Sequence, residues 1–311
     1  MNMLVTGGAG FIGSHLVERL LAAGDRIRVV DDLSTGKRGN LVEHEALEFI
    51  EGDIRDAGLI DRCIRGMDAV VHLAAVASVQ ASMDDPVRTH QVNFDGTLNL
   101  LEASRRHGVK RFIYACSAAV YGDTTTIPVS EEAVPKPLSP YAVDKLSGEH
   151  YLLHYHRAYD LVATSFRFFN IYGPRQDPSS PYSGVISIFT DRLAQGKSVT
   201  LFGDGCQTRD FVYVGDLVSL LVSALHRNDL GGHVLNVGTG RETSLLQLLV
   251  TLEALSSRRI ERQHVVPRVG DIIRSCADVT RLAKVFGTAP ATSIREGLQR
   301  LLAYPRESSA S

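Results

Sequence analysis

No apolar run in this chain approaches the ~20 residues that a membrane-spanning helix requires, so no helical membrane span is expected. Charge of one sign is missing as well. Thirty-three lysines and arginines stand against 35 acidic residues, a formal net charge of -2. No bulk field selects nucleic acid or an anionic membrane, and any bound anion must be gripped by local groups. The four cysteines, Cys63, Cys116, Cys206 and Cys276, are far apart and lack the paired spacing of zinc sites or redox motifs, so no metal is expected. Repeats and low-complexity segments are absent apart from the polar tail Glu307 to Ser311, which is expected to fray. No signal peptide is expected ahead of Leu4-Val5-Thr6-Gly7, and the cytoplasm is the expected compartment.

What is present is an ordinary globular composition, 44% apolar and 22% charged over 311 residues. Short apolar runs at Met3–Thr6, Arg26–Asp31, Leu47–Ile50, Ala69–Leu73, Arg111–Ala115 and Leu161–Phe166 read as strands. Between them Phe11–Ala23, Leu59–Arg65 and Asn93–His107 have helical spacing, the last ended by Gly108. Strands alternating with helices predict a parallel, doubly wound α/β sheet of Rossmann type. After Asn170 the rhythm is broken by turn-rich stretches such as Asp177-Pro178-Ser179-Ser180-Pro181 and Gly203-Asp204-Gly205. The chain is therefore divided into residues 1–169, a dinucleotide-binding domain, and 170–311, a smaller, irregular α/β substrate domain with some segments returning to the sheet.

Thr6-Gly7-Gly8-Ala9-Gly10-Phe11-Ile12-Gly13 lies between the first strand and the first helix. Gly7, Gly10 and Gly13 would give the tight turn and close backbone approach that a pyrophosphate needs, with Phe11 and Ile12 opening the helix that faces it. A glycine-rich turn can serve merely as a turn, but here an acid follows at the end of the second strand. Asp31, with Asp32 beside it, would accept the adenosine ribose hydroxyls and repel a 2′-phosphate, which predicts NAD rather than NADP. Lys37 and Arg38 in the same loop argue the other way. Asp53 and Ile54 follow the third strand at the level of the adenine, although Asp53 equally suits a helix cap or turn. Leu73, Ala74 and Ala75 end the fourth strand with small residues against which a flat cofactor could lie.

Tyr141 and Lys145 are four residues apart on a helix opened by Ser139-Pro140, hence on one face. Such a pair is ordinarily a surface contact. Beside a dinucleotide site it becomes a base: a free phenol has a pKa of about 10, and Lys145 together with a nicotinamide cation could lower it by roughly 1–3 units. Ser117, at the carboxyl end of the fifth strand, could bridge the substrate oxygen and Tyr141, or simply cap its own loop.

These motifs, with Arg167-Phe168-Phe169-Asn170, Thr208-Arg209-Asp210-Phe211 and Pro267-Arg268-Val269-Gly270-Asp271, resemble the extended short-chain dehydrogenase/reductases, and among them the sugar-nucleotide 4-epimerases, over nearly the whole chain. The resemblance implies that Tyr141 takes the proton of the sugar 4-hydroxyl while hydride leaves C4 for NAD. Lys145 would hold the nicotinamide ribose, Ser117 orient the reacting oxygen, and Asn93 stand near the cofactor. The 4-keto sugar would turn and take hydride back on its other face. For the substrate, a UDP-sugar, the resemblance implies Arg209 and Arg268 at the diphosphate and Asn170 on the substrate. Asp271 would meet the ribose, and Val185 with Thr200–Gly203 would wrap the base. It also implies that the residue at Ser275 sets the volume of the sugar pocket; a small residue there admits N-acetylated hexoses. A twofold homodimer is implied, built from the Tyr–Lys helix and the helix before the fifth strand, with Leu98, Leu100, Leu101, Leu146, Leu152 and Leu153 available there.

Two alternatives compete. Dehydratases and uronic-acid decarboxylases of the same family carry an acid in the segment after the catalytic serine or threonine. Here that segment is Ala118-Ala119-Val120. A non-catalytic NAD-binding sensor is the other, and an intact Ser117, Tyr141 and Lys145 argue against it.

Overall fold

The first strands are short and almost wholly apolar, which is what a sheet covered on both faces demands. In the computed structural model, which describes residues 1–178, 184–266 and 272–305, the chain opens with β1 (Asn2–Thr6), α1 (Phe11–Ala22), β2 (Arg26–Asp31), β3 (Leu47–Glu51) and α2 (Ala57–Ile64). Then come β4 (Ala69–His72), the short helices α3 (Val79–Asp84) and α4 (Pro86–His90), and α5 (Gly96–His107). β5 (Arg111–Ser117), α6 (Pro140–Ala158) and β6 (Val162–Phe168) complete this half.

The second half contains β7 (Asn170–Tyr172), α7 (Val185–Gln195), β8 (Val199–Phe202), β9 (Thr208–Arg209), β10 (Phe211–Tyr213) and α8 (Val214–Leu225). It continues with β11 (His233–Val237), β12 (Thr243–Ser244), α9 (Leu245–Ser256), β13 (Arg262–Val265), α10 (Thr280–Phe286) and α11 (Ile294–Ala303).

Seven parallel strands form the main sheet in the order β11-β6-β5-β4-β1-β2-β3. The order reverses between β1 and β4, and the carboxyl ends of the strands flanking that point form the crevice where doubly wound sheets bind ligands. β11 belongs to this sheet, paired with β6 from His233 against Thr164 to Val237 against Phe168. Leu217, Leu221 and Leu225 of α8 likewise pack into the main core, so the later chain returns to cover the sheet. A second core gathers Phe189 and Leu193 of α7, Leu201 of β8, Leu248, Leu249 and Leu252 of α9, and Leu298 of α11. Among the described residues no helix is long and apolar enough to cross a membrane.

Two local expectations need correction. Asn93–His107 is not one α-helix: Gln91–Asp95 forms a wide π turn that runs into α5 at Gly96. Asn93 is buried there, and its side chain is committed to backbone outside the helix, as π turns often allow. The fifth strand also runs two residues beyond Ala115, carrying Ser117 as its last residue.

Candidate active site

Gly7 has φ +70, and a Cβ on it would stand 2.7 Å from the Ala74 nitrogen. A Cβ on Gly13 would lie 2.1 Å from the Gly7 carbonyl oxygen. Only glycine permits this approach of the β1–α1 turn to α1 and to the end of β4. Gly10 is the N-cap of α1 and offers no side-chain cap, while Phe11 and Ile12 start the helix half-buried. Free N–H groups and a partial positive charge at a glycine-shaped turn fit a dinucleotide pyrophosphate.

Asp31 closes β2 buried beneath this turn. Its Oδ2 accepts Ala9 N–H and its Oδ1 accepts Leu33 N–H, both at 2.9 Å. Burial pushes its carboxyl above the usual aspartate value, and the Leu33 and Ala9 N–H groups oppose that. A carboxylate has further lone pairs, so ribose hydroxyls remain within its capacity. Asp32 is exposed and bonds to Ser34. Arg38, which argued for a phosphate, lays its guanidinium over the Phe49 ring at 4.8 Å.

Asp53 is turned onto Arg55, whose Nε donates to it at 2.8 Å, while Asp56 caps α2. Ile54 is buried against Gly96. Leu73, Ala74 and Ala75 are half-buried, with Leu73 N–H on Thr6 O at 3.1 Å. Asn93 clamps the loop that follows: its Oδ1 accepts Val76 N–H at 2.8 Å and its Nδ2 donates to Val76 O at 3.1 Å.

Sequence reasoning missed His72. Thr97 Oγ1 donates to Asn93 O at 2.6 Å, so it accepts from His72 Nε2, 2.9 Å away. His72 Nδ1 is then the acceptor for Thr6 Oγ1 at 2.7 Å. Burial holds this imidazole well below its ordinary pKa, in keeping with the neutral tautomer. A histidine closing an otherwise apolar strand was the available signal.

Ser139 accepts Ala142 N–H and Pro140 occupies the first turn, which starts α6 immediately before Tyr141. Ser117 stands beside Tyr141, where its hydroxyl favours the charged form of the phenol, and its Oγ accepts Ala119 N–H at 3.1 Å. The serine therefore both caps its loop and faces the phenol. Lys145 is buried, and its Nζ donates to Ala115 O at 2.8 Å and lies 5.0 Å from the Tyr114 ring centroid.

Burial pushes the Tyr141 phenol up to about 12, with Ser117 pulling the other way, and pushes Lys145 down to about 8. Lys145 gives one donor to a strand carbonyl and lies against an aromatic face, and in the protein alone burial outweighs the help Ser117 gives to the charged phenol.

On the sugar side Asn170 begins β7 exposed, its N–H on Asp210 O at 3.0 Å. Val185 opens α7 half-buried against the second core. Arg209 Nη1 donates to Thr208 O at 2.8 Å and to Ile272 O at 2.7 Å. Arg268 and Asp271 lie outside the described residues. Ser275 is half-buried, just before the buried Cys276 and Ala277. Asp210 was quoted only as part of a motif, yet it is the hub here. Its carboxylate accepts Thr239 N–H at 2.8 Å, Thr239 Oγ1 at 2.6 Å, Gly240 N–H at 3.0 Å and Ala277 N–H at 3.1 Å.

Comparison with known proteins agrees with this geometry. The model of the NAD dependent epimerase/dehydratase family matches residues 3–238. A UDP-glucose 4-epimerase of Mycolicibacterium smegmatis is 41% identical over 314 residues, covering 99% of this chain and 100% of that protein. The structure of a Thermotoga maritima UDP-glucose 4-epimerase with UDP-glucose superposes with a TM-score of 0.93 at 42% identity, covering 98% of each chain. A UDP-N-acetylglucosamine 4-epimerase from Methanobrevibacter ruminantium, in complex with UDP-N-acetylmuramic acid, gives a TM-score of 0.93 at 36% identity, over 97% of this chain and 96% of that one. Decarboxylase and 4,6-dehydratase relatives match at 34–35% identity.

Proposed function

The chain belongs to the NAD-dependent epimerase/dehydratase family, and from that membership we propose that it is a UDP-hexose 4-epimerase. It interconverts UDP-N-acetylglucosamine with UDP-N-acetylgalactosamine, and UDP-glucose with UDP-galactose. The observation that carries the reading is the hydroxyl pair Ser117–Tyr141, followed by a turn of Ala118, Ala119 and Val120 that holds no carboxylate. Dehydration and decarboxylation need further proton handling beside the reacting carbons; a reversible oxidation at C4 needs one acid–base group.

NAD is the cofactor, and it supplies a hydride acceptor that returns what it takes. Gly7, Gly10 and Gly13 with the start of α1 hold its pyrophosphate. Asp31 and Asp32 take the adenosine ribose, and Ile54, Ala74, Ala75 and Asn93 border it. Tyr141 receives the 4-hydroxyl proton and returns it to O4 once the 4-keto sugar has turned its other face to the cofactor. Ser117 orients that oxygen beside Tyr141. Lys145, fixed by Ala115 O, presents its remaining donors to the nicotinamide ribose.

Arg209 and Arg268 grip the diphosphate as planar, permanently charged donors, Asn170 and Asp271 bind the substrate, and Val185 borders the base. Ser275 leaves volume for an acetamido group. The Thermotoga and Methanobrevibacter enzymes, named for plain and acetylated hexose respectively, support both pairs.

The protein acts as a homodimer through α5 and α6. Leu100, Leu101 and Leu152 are buried in its own core, and the exposed apolar residues of α6 are Val143 and Tyr151. Incubation with UDP-hexoses, read by mass and NMR, tests the activity: epimer without net cofactor reduction supports it. A keto sugar or carbon dioxide would move the protein to the dehydratases or decarboxylases.

A further inference from the structure

A buried polar chain runs past the site, and the chemistry described above does not use it. Tyr141, Lys145 and Glu149 follow one another at steps of four along α6. Glu149 is 1% exposed and receives Arg167 Nε at 3.1 Å, with a second bond from Arg167 Nη2, and Ser165 Oγ at 2.8 Å. Arg167 Nη1 donates to Tyr121 Oη at 2.9 Å, and Tyr121 Oη donates to Asn236 Oδ1 at 2.6 Å. Asn236 Nδ2 donates to Val129 O at 2.9 Å and to Asp278 O at 3.3 Å. Val129 is itself paired with the sugar-side segment: its N–H donates to Cys276 O at 2.9 Å, and its carbonyl accepts Asp278 N–H at 2.8 Å.

One end of this chain is thus the helix of Tyr141 and the other is the segment that follows Ser275, bridged to Val129 at Ala277. The crossing point is Tyr121, four residues beyond Ser117. An ion pair buried this deeply is weak evidence of stabilisation, because well-packed apolar groups often do as well. What apolar groups cannot do is fix direction. Each member here has one geometry that satisfies its neighbours, so the two walls of the site are held at one relative placement.

We propose that Tyr121 is a positioning residue, whose hydroxyl joins the Glu149–Arg167 pair to Asn236 and so sets the sugar-side segment 272–278 against Ser117 and Tyr141. The proposal rests on the reading that those two hydroxyls work on a sugar bound against that segment. Misplacement of reacting groups by about 1 Å can cost 10²-fold in rate. Losing one tie, with the diphosphate grip intact, should therefore lower kcat and spare KM.

The test compares Tyr121→Phe with Thr164→Val. Thr164 is a buried residue of β6 whose Oγ1 donates to Leu230 O at 2.9 Å, outside the chain of bonds. Its loss reports the general cost of an unpaired buried acceptor. Tyr121→Phe is expected to lose kcat about tenfold, with KM for UDP-glucose and UDP-N-acetylglucosamine within about twofold and an unshifted pH profile. Amide exchange at Ala277 and Asp278 should quicken in Tyr121→Phe and stay unchanged in Thr164→Val. Should Tyr121→Phe not fold, Asn236→Leu cuts the same tie from the far side with little change of volume, and the same losses are expected.

A fall in kcat no greater than that of Thr164→Val, a loss confined to KM, or unchanged exchange at Ala277 would each overturn the proposal. Failure of the epimerase reading would look different. The parent would give no epimer, while near-ultraviolet absorbance of reduced nicotinamide on adding UDP-sugar, a step shared with dehydratases, would still allow the Tyr121 comparison. The exchange measurement needs no substrate at all.

Discussion

Asp210 accepts the N–H of Ala277 at 3.1 Å, and two further oxygen–donor contacts bind it to Thr239. The segment that carries Ser275 is thereby fastened to the turn after β11. Burial raises the Asp210 carboxyl, and the Thr239, Ala277 and Gly240 donors offset this. On the proposed reading this segment lines the sugar pocket, and with these bonds holding it a change of side-chain volume there should act on the ligand.

Ser275→Tyr should therefore depress turnover of UDP-N-acetylglucosamine far more than that of UDP-glucose, because a ring in that volume excludes an acetamido group by overlap. Steady-state rates on both substrates check this. Equal losses, or no acetylated turnover in the parent, would remove Ser275 from specificity.

Tyr141→Phe should lose turnover by about 10² or more, the range for a positioned general base, while still binding NAD and the sugar nucleotide. Near-parent turnover would take Tyr141 out of the mechanism.

Lys145 gives a prediction with a definite sign. Burial lowers its pKa from 10.5 to about 8, so between those values the unfolded chain holds a proton that the folded chain has released. Stability rises with pH wherever the unfolded state binds more protons. Below pH 8 the folded protein carries the full cost of a buried charge, and from 8 towards 10.5 that cost is relieved. Lys145→Met cannot titrate. The melting temperature of the parent relative to Lys145→Met should climb as pH rises through this window; a constant gap would contradict the assignment.

Asp31→Asn keeps the shape of the side chain and removes the charge that repels a 2′-phosphate. The ratio of NADP to NAD affinity should rise by about tenfold or more, since like charges in contact cost at least ~1.4 kcal/mol. Fluorescence titration with both cofactors reads this directly, and an unchanged ratio would show that Asp31 does not choose between them.

The parts of the site legible in the sequence were local. The glycine turn, Asp31 at the end of β2 and the Tyr141–Lys145 spacing are each confined to one element and its immediate turn. β1 to β6 were legible for the same reason, each being a compact apolar run. His233–Val237 was not, because its apolar run is short and is preceded by irregular chain, and only pairing with β6 makes it a strand. The roles of Asp210 and Tyr121 depend on hydrogen-bond partners 29 to 115 residues away in the chain. Lys145 shows the same limit from the other side. Spacing put it on the face of Tyr141, but burial and the Ala115 carbonyl decided its pKa and its partner.

In the proposed reaction hydrogen leaves C4 of the sugar and returns to it within one closed site, with Tyr141 carrying only the hydroxyl proton. Running the interconversion of UDP-N-acetylglucosamine and UDP-N-acetylgalactosamine in deuterated water, and reading the C4 position by NMR, tests it most directly. Epimer with its original hydrogen at C4 and no solvent deuterium there is expected. Deuterium at C4, or a keto sugar in place of epimer, would contradict it.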